Sequence, residues 1–183
     1  MNGEFFATQG DVALRRLENT DGDMALLLTW LTNPTVIARA WSEGAPWTDG
    51  KIRRAFAGKT RPTGTCGCII CFRGQPVGYL QFYPVRRDSY EASTFAQNQM
   101  KGAYGVDMFI GDPSLWHKGI GSKAVAALEG HLRSKGVHTL CADPAADNEV
   151  ALRFWPKLGF DPLAVIEDQD APSRQCVLML KNL

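Results

Sequence analysis

The stretch from Leu115 to Ser122, L-W-H-K-G-I-G-S, has the residue types and spacing of a loop that could hold a phosphate. It opens a predicted helix, where the first backbone amides lack internal partners and the aligned peptide dipoles favour negative charge. Gly119 and Gly121 would let a pyrophosphate reach the backbone, because a Cβ atom would keep it away. Spacing alone leaves a plain glycine turn as the alternative. The loop's other polar groups would add positive charge and a hydroxyl donor: Lys118, Lys123 and Ser122.

A second candidate is Asp107, the lone carboxylate in the apolar segment Y-G-V-D-M-F-I that precedes this loop. Carboxylates are seldom buried without a partner or a task. Asp107 could take a proton from a reacting group as a general base, or hold a cationic group electrostatically while water carries the proton. The alternative is a strand-end carboxylate that pairs with a basic residue or a helix amide.

Further candidates lie elsewhere along the chain. Asp143 heads the loop D-P-A-A-D-N after the next predicted strand, at the edge where ligand sites of α/β proteins form. An Asp-Pro turn explains this residue as well. An opposite wall of a site could include three tryptophans and one carboxylate, although core packing is the commoner role for any one of them. These residues are Trp30, Trp41, Trp47 and Glu43.

Composition narrows the class of protein without naming a partner. The chain has 183 residues, which predicts one domain over 1–183, and its formal net charge is +1. No basic stripe indicates nucleic-acid binding. No apolar run approaches the roughly 18 residues of a spanning helix, and the start M-N-G-E-F-F does not resemble a signal peptide. We therefore expect a cytoplasmic protein, a monomer or a homodimer, without a membrane or nucleic-acid partner.

Cysteine usage favours buried thiols over a metal site. Cys66, Cys68 and Cys71 crowd into the apolar stretch C-G-C-I-I-C-F. A zinc site would need a second cluster at ligand spacing, and the three histidines do not supply one. We expect no metal.

The periodicity predicts a mixed α/β order of elements. Residues 84–103 are polar and aperiodic, and a connection of that length is usually functional or disordered. Strands are predicted at Val12–Leu17, Cys66–Phe72, Val77–Tyr83, Tyr104–Ile110, Val137–Ala142, 161–166 and 175–181. Helices are predicted from Asp21 to Asn33-Pro34, at about 35–42, at 48–57 with Thr48 as its cap, at Gly119–Ser134 and at Glu149–Leu158.

Two of these segments resemble the motifs of a known family. P-S-L-W-H-K-G-I-G-S is similar to the acetyl-CoA loop R/Q-x-x-G-x-G/A of the GCN5-related N-acetyltransferase (GNAT) superfamily. N-E-V-A-L-R-F-W-P-K-L-G-F is similar to its later element N-x-x-A-x-x-x-Y-x-x-x-G-F. Within the superfamily the chain resembles the aminoglycoside 6'-N-acetyltransferases, through W-L-T-N-P, P-V-G-Y-L-Q-F-Y, Y-G-V-D-M-F-I-G and D-P-A-A-D-N-E-V-A-L-R.

The resemblance implies a fold, a co-substrate and a reaction. The fold would be a single α+β GNAT domain, with a twisted, mixed, mostly antiparallel sheet of about six or seven strands flanked by helices. The sheet would be splayed between the family's fourth and fifth strands to admit the pantetheine arm. The reaction would be direct acetyl transfer from acetyl-CoA to a primary amine. Cofactor contacts are implied for Phe109, Ile110, Gly111, Trp116, His117, Lys118, Gly119, Ile120, Gly121, Ser122, Lys123 and Asn148.

The resemblance also implies roles on the acceptor side. Asp107 would be the base, and Asp143 would bind antibiotic amines, with Trp30, Glu43 and Glu91 as further substrate contacts. Trp155 stands where the motif has Tyr, the usual proton donor to the leaving thiolate. Since an indole does not serve as an acid, solvent would protonate that thiolate. The adjacent Pro156 is expected to break or kink its helix.

Three functions remain open at this point. The first is aminoglycoside 6'-N-acetylation, which would confer antibiotic resistance. The second is acetylation of another amine: a polyamine, a siderophore lysine or a protein N-terminus. The third is a non-catalytic acyl-CoA-binding module, which the missing Tyr makes credible. The segment 84–103 carries Arg86, Arg87 and Lys101 beside Asp88 and Glu91, and this charge balance does not favour a polycationic substrate.

Overall fold

The computed structural model describes residues 4–38, 46–60, 64–85, 99–167 and 174–183. These residues form two compact units, one from Met1–Phe82 and Asp107–His131, the other from Tyr83–Val106 and Leu132–Leu183. The first unit contains β1 (Phe5–Gln9), β2 (Val12–Arg16), α1 (Asp21–Leu31), α2 (Pro34–Ile37), α3 (Asp49–Phe56), a 3-10 turn (Ala57–Thr60), β3 (Cys66–Phe72) and most of β4 (Gln75–Pro84). The later part of β5 (Tyr104–Ile110), a 3-10 turn (Pro113–Leu115) and most of α4 (Ile120–Arg133) complete it.

The strands of the first unit pair in the order in which they occur in the chain. Strands β1, β2, β3 and β4 form successive antiparallel pairs. The turn between β3 and β4 places Arg73 and Gly74 at φ of 50° and 80°, which matches the turn that R-G-Q-P predicts. Strand β1 was not predicted, because F-F-A-T-Q has no period-two alternation of apolar and polar residues.

Threonine side chains cap two helices of this unit, at Thr48 as predicted and at Thr20, which the sequence analysis did not identify. The Thr20 hydroxyl accepts the Asp23 amide at the start of α1, and the Thr48 hydroxyl accepts the Lys51 amide at the start of α3. The predicted apolar face of α1 is buried in the core of this unit: Leu27, Trp30 and Leu31. Helix α2 covers Pro34–Ile37 of the predicted 35–42, and residues 39–45 lie outside the described part of the chain.

The second unit has its own strand pairings and core. Tyr104 and Gly105 of β5 pair in parallel with Leu140 and Cys141 of β6 (Thr139–Ala142). Strand β8 (Gln175–Asn182) lies antiparallel between β6 and β7 (Asp161–Glu167). Helix α5 runs over Glu149–Lys157. The core of this unit comprises Met100, Ala103, Cys141, Ala145, Ile166, Cys176 and Leu178.

The fold-class prediction is confirmed, with eight strands in place of the six or seven expected. Helix α5 runs through Pro156 and ends at Lys157, so the proline lies in its last turn, where it lacks the N–H of one helical hydrogen bond. Gly159 follows in the left-handed region at φ 84°. Cys66, Cys68 and Cys71 are buried thiols, as predicted, and Cys141 and Cys176 are buried thiols as well. Among the described helices, none is long and apolar enough to cross a membrane.

A buried ion pair fixes α1 to the sheet. Arg15 of β2 donates two hydrogen bonds to Asp23, at 2.8 and 2.6 Å, and the Glu18 amide adds a third at 2.9 Å. The Asp23 side chain is only 7% exposed, so its charge depends on these donors. The Asp23 carboxylate also raises the pKa of Arg15, chiefly through their hydrogen bond.

We predict that Asp23→Ala lowers the free energy of unfolding by about 3–5 kcal/mol, because it leaves the Arg15 charge buried without its partner. Urea denaturation measures the change. Asp21→Ala is the matched control, since Asp21 lies in the same helical turn and pairs with Arg53 but its side chain is 94% exposed. The control should stay within experimental error. Equal losses in the two variants would contradict the assignment.

Candidate functional site

Asp107 is held by a side chain of the neighbouring strand. The Gln81 side-chain nitrogen Nε2 in β4 donates to Asp107 Oδ2 at 2.6 Å. Gln81 is 8% exposed and Asp107 is half-buried. A short hydrogen bond to a carboxylate is among the stronger protein hydrogen bonds, so one oxygen of Asp107 has a defined position.

Two donors fix which end of the Gln81 amide faces Asp107. The Lys59 ammonium donates to Gln81 Oε1 at 2.8 Å, and the Tyr79 hydroxyl donates to the same oxygen at 3.0 Å. Since an amide oxygen only accepts, Nε2 must point to the carboxylate. Burial raises the pKa of the Tyr79 hydroxyl, and the nearby Asp107 charge adds to that effect, so the hydroxyl remains a donor.

Close packing holds this network in place. A Cβ atom at Gly67 would lie 2.8 Å from the Tyr79 hydroxyl oxygen, so a glycine leaves room for that group. The Tyr79 ring meets Phe56 edge-on, with ring centroids 5.2 Å apart, and the Lys59 ammonium lies 4.9 Å from the Phe56 ring centroid. Tyr79 and Phe56, which pack around the Gln81 network, are part of the core of the first unit.

The end of β5 lies very close to β4 and α1. A Cβ atom at Gly78 would overlap the Phe109 carbonyl oxygen, and one at Gly111 would overlap the Trp30 ring. The Gly111 amide donates to the Val77 carbonyl at 2.8 Å. Trp30, a predicted substrate contact, is 6% exposed and meets the Phe109 ring edge-on at 6.1 Å. Its side chain therefore packs in the core.

The loop from Gly111 to Gly119 has a defined backbone. The Asp112 side chain accepts the Ser114 amide at 2.9 Å and starts the 3-10 turn, and the Trp116 indole donates to the Ile110 carbonyl at 2.8 Å. His117 and Gly119 have φ of 60° and 74°. These contacts tie the loop to the end of β5.

The first turn of α4 leaves amides outside the helical ladder. The first intrahelical bond runs from the Lys123 amide to the Gly119 carbonyl at 3.1 Å. The amides of Ile120, Gly121 and Ser122 precede that bond, so the helix itself offers them no acceptor. Amides in this position suit an anion, and the helix dipole adds to the attraction.

The lysines of the loop differ in their surroundings. Lys118 is exposed beside the loop, as is His117. The Lys123 ammonium instead donates to Asp11 of the β1–β2 turn at 2.6 Å. That bond lowers the pKa of Asp11. The positive charge of Lys123 is therefore paired with the Asp11 carboxylate, and the sequence analysis did not predict that Asp11 lies beside this loop.

Trp47 lies in the first unit, with its ring centroid 6.0 Å from that of Phe56. The other candidates lie in the second unit or outside the described residues. Asn148 caps α5, with its Oδ1 accepting the Ala151 amide at 3.1 Å. Asp143 is half-buried just after β6, and Trp155 is buried edge-on to Phe160. Glu43 and Glu91 lie outside the described part of the chain, as do Trp41 and Asp88. No group of three potential metal ligands occurs within the described ranges.

The sequence analysis missed Gln81, Lys59 and Tyr79. Gln81 had a detectable signal, because it is the one strongly polar residue in the apolar run V-G-Y-L-Q-F. Lys59 had none, since a lysine after a short helix is ordinarily a solvated surface residue.

Comparison with known proteins gives a consistent set of relatives. A family model described as an acetyltransferase (GNAT) domain matches residues 19–167. The aminoglycoside N(6')-acetyltransferase type 1 of Klebsiella pneumoniae is 26% identical over 156 residues, which cover 84% of this chain and 77% of that protein. The corresponding protein of Serratia marcescens matches equally.

Solved structures agree with the sequence relatives. The aminoglycoside acetyltransferase AAC(6')-Ib in complex with coenzyme A is 25% identical with a TM-score of 0.73, covering 93% of this chain and 94% of that one. An acetyltransferase of Salmonella typhimurium that modifies the N-terminal serine of ribosomal protein L7/L12 has a TM-score of 0.77. It is 14% identical and covers 98% of this chain and 99% of its own, a likeness of fold alone.

We predict that Gly78→Ala lowers the free energy of unfolding by at least about 2 kcal/mol, because the new methyl group meets backbone atoms of β5 that have little room to move. Thermal and urea denaturation measure the loss. Gly130→Ala is the control: Gly130 lies within α4 with open space where a Cβ atom would be, so alanine should stabilise by about 0.5–1 kcal/mol. A neutral Gly78→Ala would disprove the close approach.

Proposed function

The chain belongs to the GNAT family of acetyl-CoA-dependent acetyltransferases, and on that premise we propose that it acetylates the 6'-amino group of aminoglycoside antibiotics. One observation carries the proposal. The carboxylate of Asp107 lies in β5, the strand that leads directly into the loop before α4, and Gln81 of β4 fixes its position by a hydrogen bond. The relatives from Klebsiella pneumoniae and Serratia marcescens support the acceptor and the position of the amine. The enzyme would act in the cytoplasm, as a monomer or homodimer, and protect its host from the drug.

The loop has the features that a pyrophosphate needs. The amides of His117 to Ser122 would hold it, whereas the Trp116 amide already donates to the Pro113 carbonyl at 3.2 Å. The space beside Gly119, where a Cβ atom would meet nothing within 4 Å, admits the pyrophosphate close to the backbone. Lys118 would add charge. Backbone groups of Phe109, Ile110 and Gly111 would pair with the pantetheine and the thioester, and Asn148 would make a further contact. Acetyl-CoA supplies an activated thioester carbonyl.

Asp107 is assigned to the acceptor amine. Its carboxylate would hold the incoming ammonium and take the proton that the amine loses, directly or through one water molecule. The nitrogen can then form its bond to the acetyl carbon as the carbon–sulfur bond breaks. Gln81 restrains the carboxylate at one oxygen, which limits the orientations that the amine can adopt.

No tyrosine stands where the family motif has its acid, so the proton for the leaving thiolate would come from solvent. Trp155 occupies that position, and its ring is buried against Phe160. An indole N–H donates hydrogen bonds but does not release its proton near neutral pH. A thiolate is a tolerable leaving group at that pH without an acid.

A kinetic panel tests the proposed acceptor. Kanamycin, tobramycin, spermidine and a peptide amine are each supplied with acetyl-CoA, coenzyme A release is followed, and the product is examined by NMR. The proposal expects turnover with an aminoglycoside and the new acetyl group on its 6'-nitrogen. Turnover of spermidine or the peptide alone would show that the acceptor is not an aminoglycoside. Acetylation at another aminoglycoside nitrogen would contradict the proposed 6' position.

We predict that Asp107→Asn lowers kcat/KM for the accepted aminoglycoside by about 10²–10⁴-fold, because the amide accepts no proton. Acetyl-CoA binding, followed by calorimetry, should be unchanged. Asp161→Asn, an exposed substitution at the start of β7, is the control and should keep full activity. A wild-type protein that binds acetyl-CoA and acetylates no amine would indicate a binding module instead.

A further inference from the structure

Lys59 places a positive charge close to the proposed acceptor position. Its ammonium and Asp107 contact opposite ends of the same Gln81 side-chain amide, at 2.8 and 2.6 Å. An amide group and two hydrogen bonds together span less than about 8 Å, so the ammonium and the carboxylate lie within that distance. An amino sugar is of comparable size.

The Lys59 side chain has a fixed position. It lies 4.9 Å from the Phe56 ring centroid, and it leaves from the 3-10 turn Ala57–Thr60, which the Thr60 hydroxyl closes by donating to the Ala57 carbonyl at 2.9 Å. The backbone of Lys59 also packs against β3, since a Cβ atom at Gly67 would lie 3.2 Å from the Lys59 carbonyl oxygen. Moving the ammonium away would cost it both Gln81 and the Phe56 ring.

The charges of this network have a consequence for the acceptor. Asp107 supplies one negative charge for one ammonium, and Lys59 repels a second ammonium that comes near it. Like charges in a partly buried site disfavour binding more than the same charges would in water. A hydroxyl group in the same place avoids that repulsion, and a carboxylate would be attracted.

We infer that Lys59 is a specificity-determining residue that selects acceptors with no second ammonium on the ring that carries the reacting amine. The inference rests on the proposed function, because it takes Asp107 as the place where that amine binds. The inference predicts a preference for aminoglycosides that lack this second amine. The net charge of the whole chain, +1, gives no reason to expect that preference.

Kanamycin A and kanamycin B test the inference as a matched pair. The ring that carries the 6'-amine has a hydroxyl group at carbon 2' in kanamycin A and an amine in kanamycin B. Wild-type enzyme should favour kanamycin A in kcat/KM, and Lys59→Gln should shrink the A-to-B ratio by about tenfold, mostly through KM. Lys59→Gln removes the charge and retains an N–H donor for Gln81.

Two further variants complete the design. Lys59→Arg keeps the charge and should keep the ratio. Arg54→Met removes an exposed charge from α3, outside the Gln81 network, and should leave the ratio unchanged. An unchanged ratio in Lys59→Gln overturns the inference, as does an equal shift in Arg54→Met, which would indicate a general effect of net charge. Circular dichroism checks that each variant is folded, and Lys59→Met replaces Lys59→Gln if the latter is not.

Failure of the proposed function is distinguishable in the same experiment. If neither kanamycin is acetylated by wild type, that function fails, and the inference is judged on binding of the pair to the protein with coenzyme A, by calorimetry. A Kd ratio that moves toward unity in Lys59→Gln, or binding of kanamycin B that appears only in that variant, supports the role of Lys59. An unmoved ratio, or no binding by any variant, overturns it.

Discussion

The hydrogen bond from Gln81 to Asp107 requires one of the two possible orientations of the Gln81 amide, and the side chain alone does not determine which one it adopts. An amide offers an acceptor at one end and donors at the other, and the two ends are nearly equal in size. Lys59 and Tyr79 both donate to the oxygen, so the nitrogen is left for the carboxylate. Everything proposed for the acceptor follows from that orientation, because a reversed amide would set an oxygen against an anion.

The site shares side chains with the core of the first unit. Tyr79 and Phe109 belong to the core cluster that includes Trp30, and Tyr79 also donates to Gln81. Close approaches at Gly67 and Gly78 allow the contacts, since a methyl group would strike the Tyr79 hydroxyl or the Phe109 carbonyl. Stability and function are therefore coupled here, and a substitution that loosens this core displaces the carboxylate as well.

Local patterns predicted much of this protein. The cap at Thr48 and the glycine loop before α4 each depend on residues near one another in the chain. The contacts that shape the site do not: Lys59 and Asp107 lie 22 and 26 residues from Gln81, and Lys123 meets Asp11 across 112 residues. The periodicity of apolar residues predicts helices and strands, but it does not predict which distant side chains tertiary folding brings into contact. Family resemblance suggested the role that we propose for Asp107, whereas no motif in the sequence pointed to Lys59.

Two indole rings meet the backbone at the end of β5. The Trp30 ring packs against Gly111, and the Trp116 N–H donates to the Ile110 carbonyl at 2.8 Å. Indole emission responds to the polarity and hydrogen bonding around the ring, and both rings border the backbone assigned to the thioester. The protein thus carries an intrinsic optical reporter. Occupancy of the cofactor loop should be readable as a change in tryptophan fluorescence, without a label and before any acceptor is known.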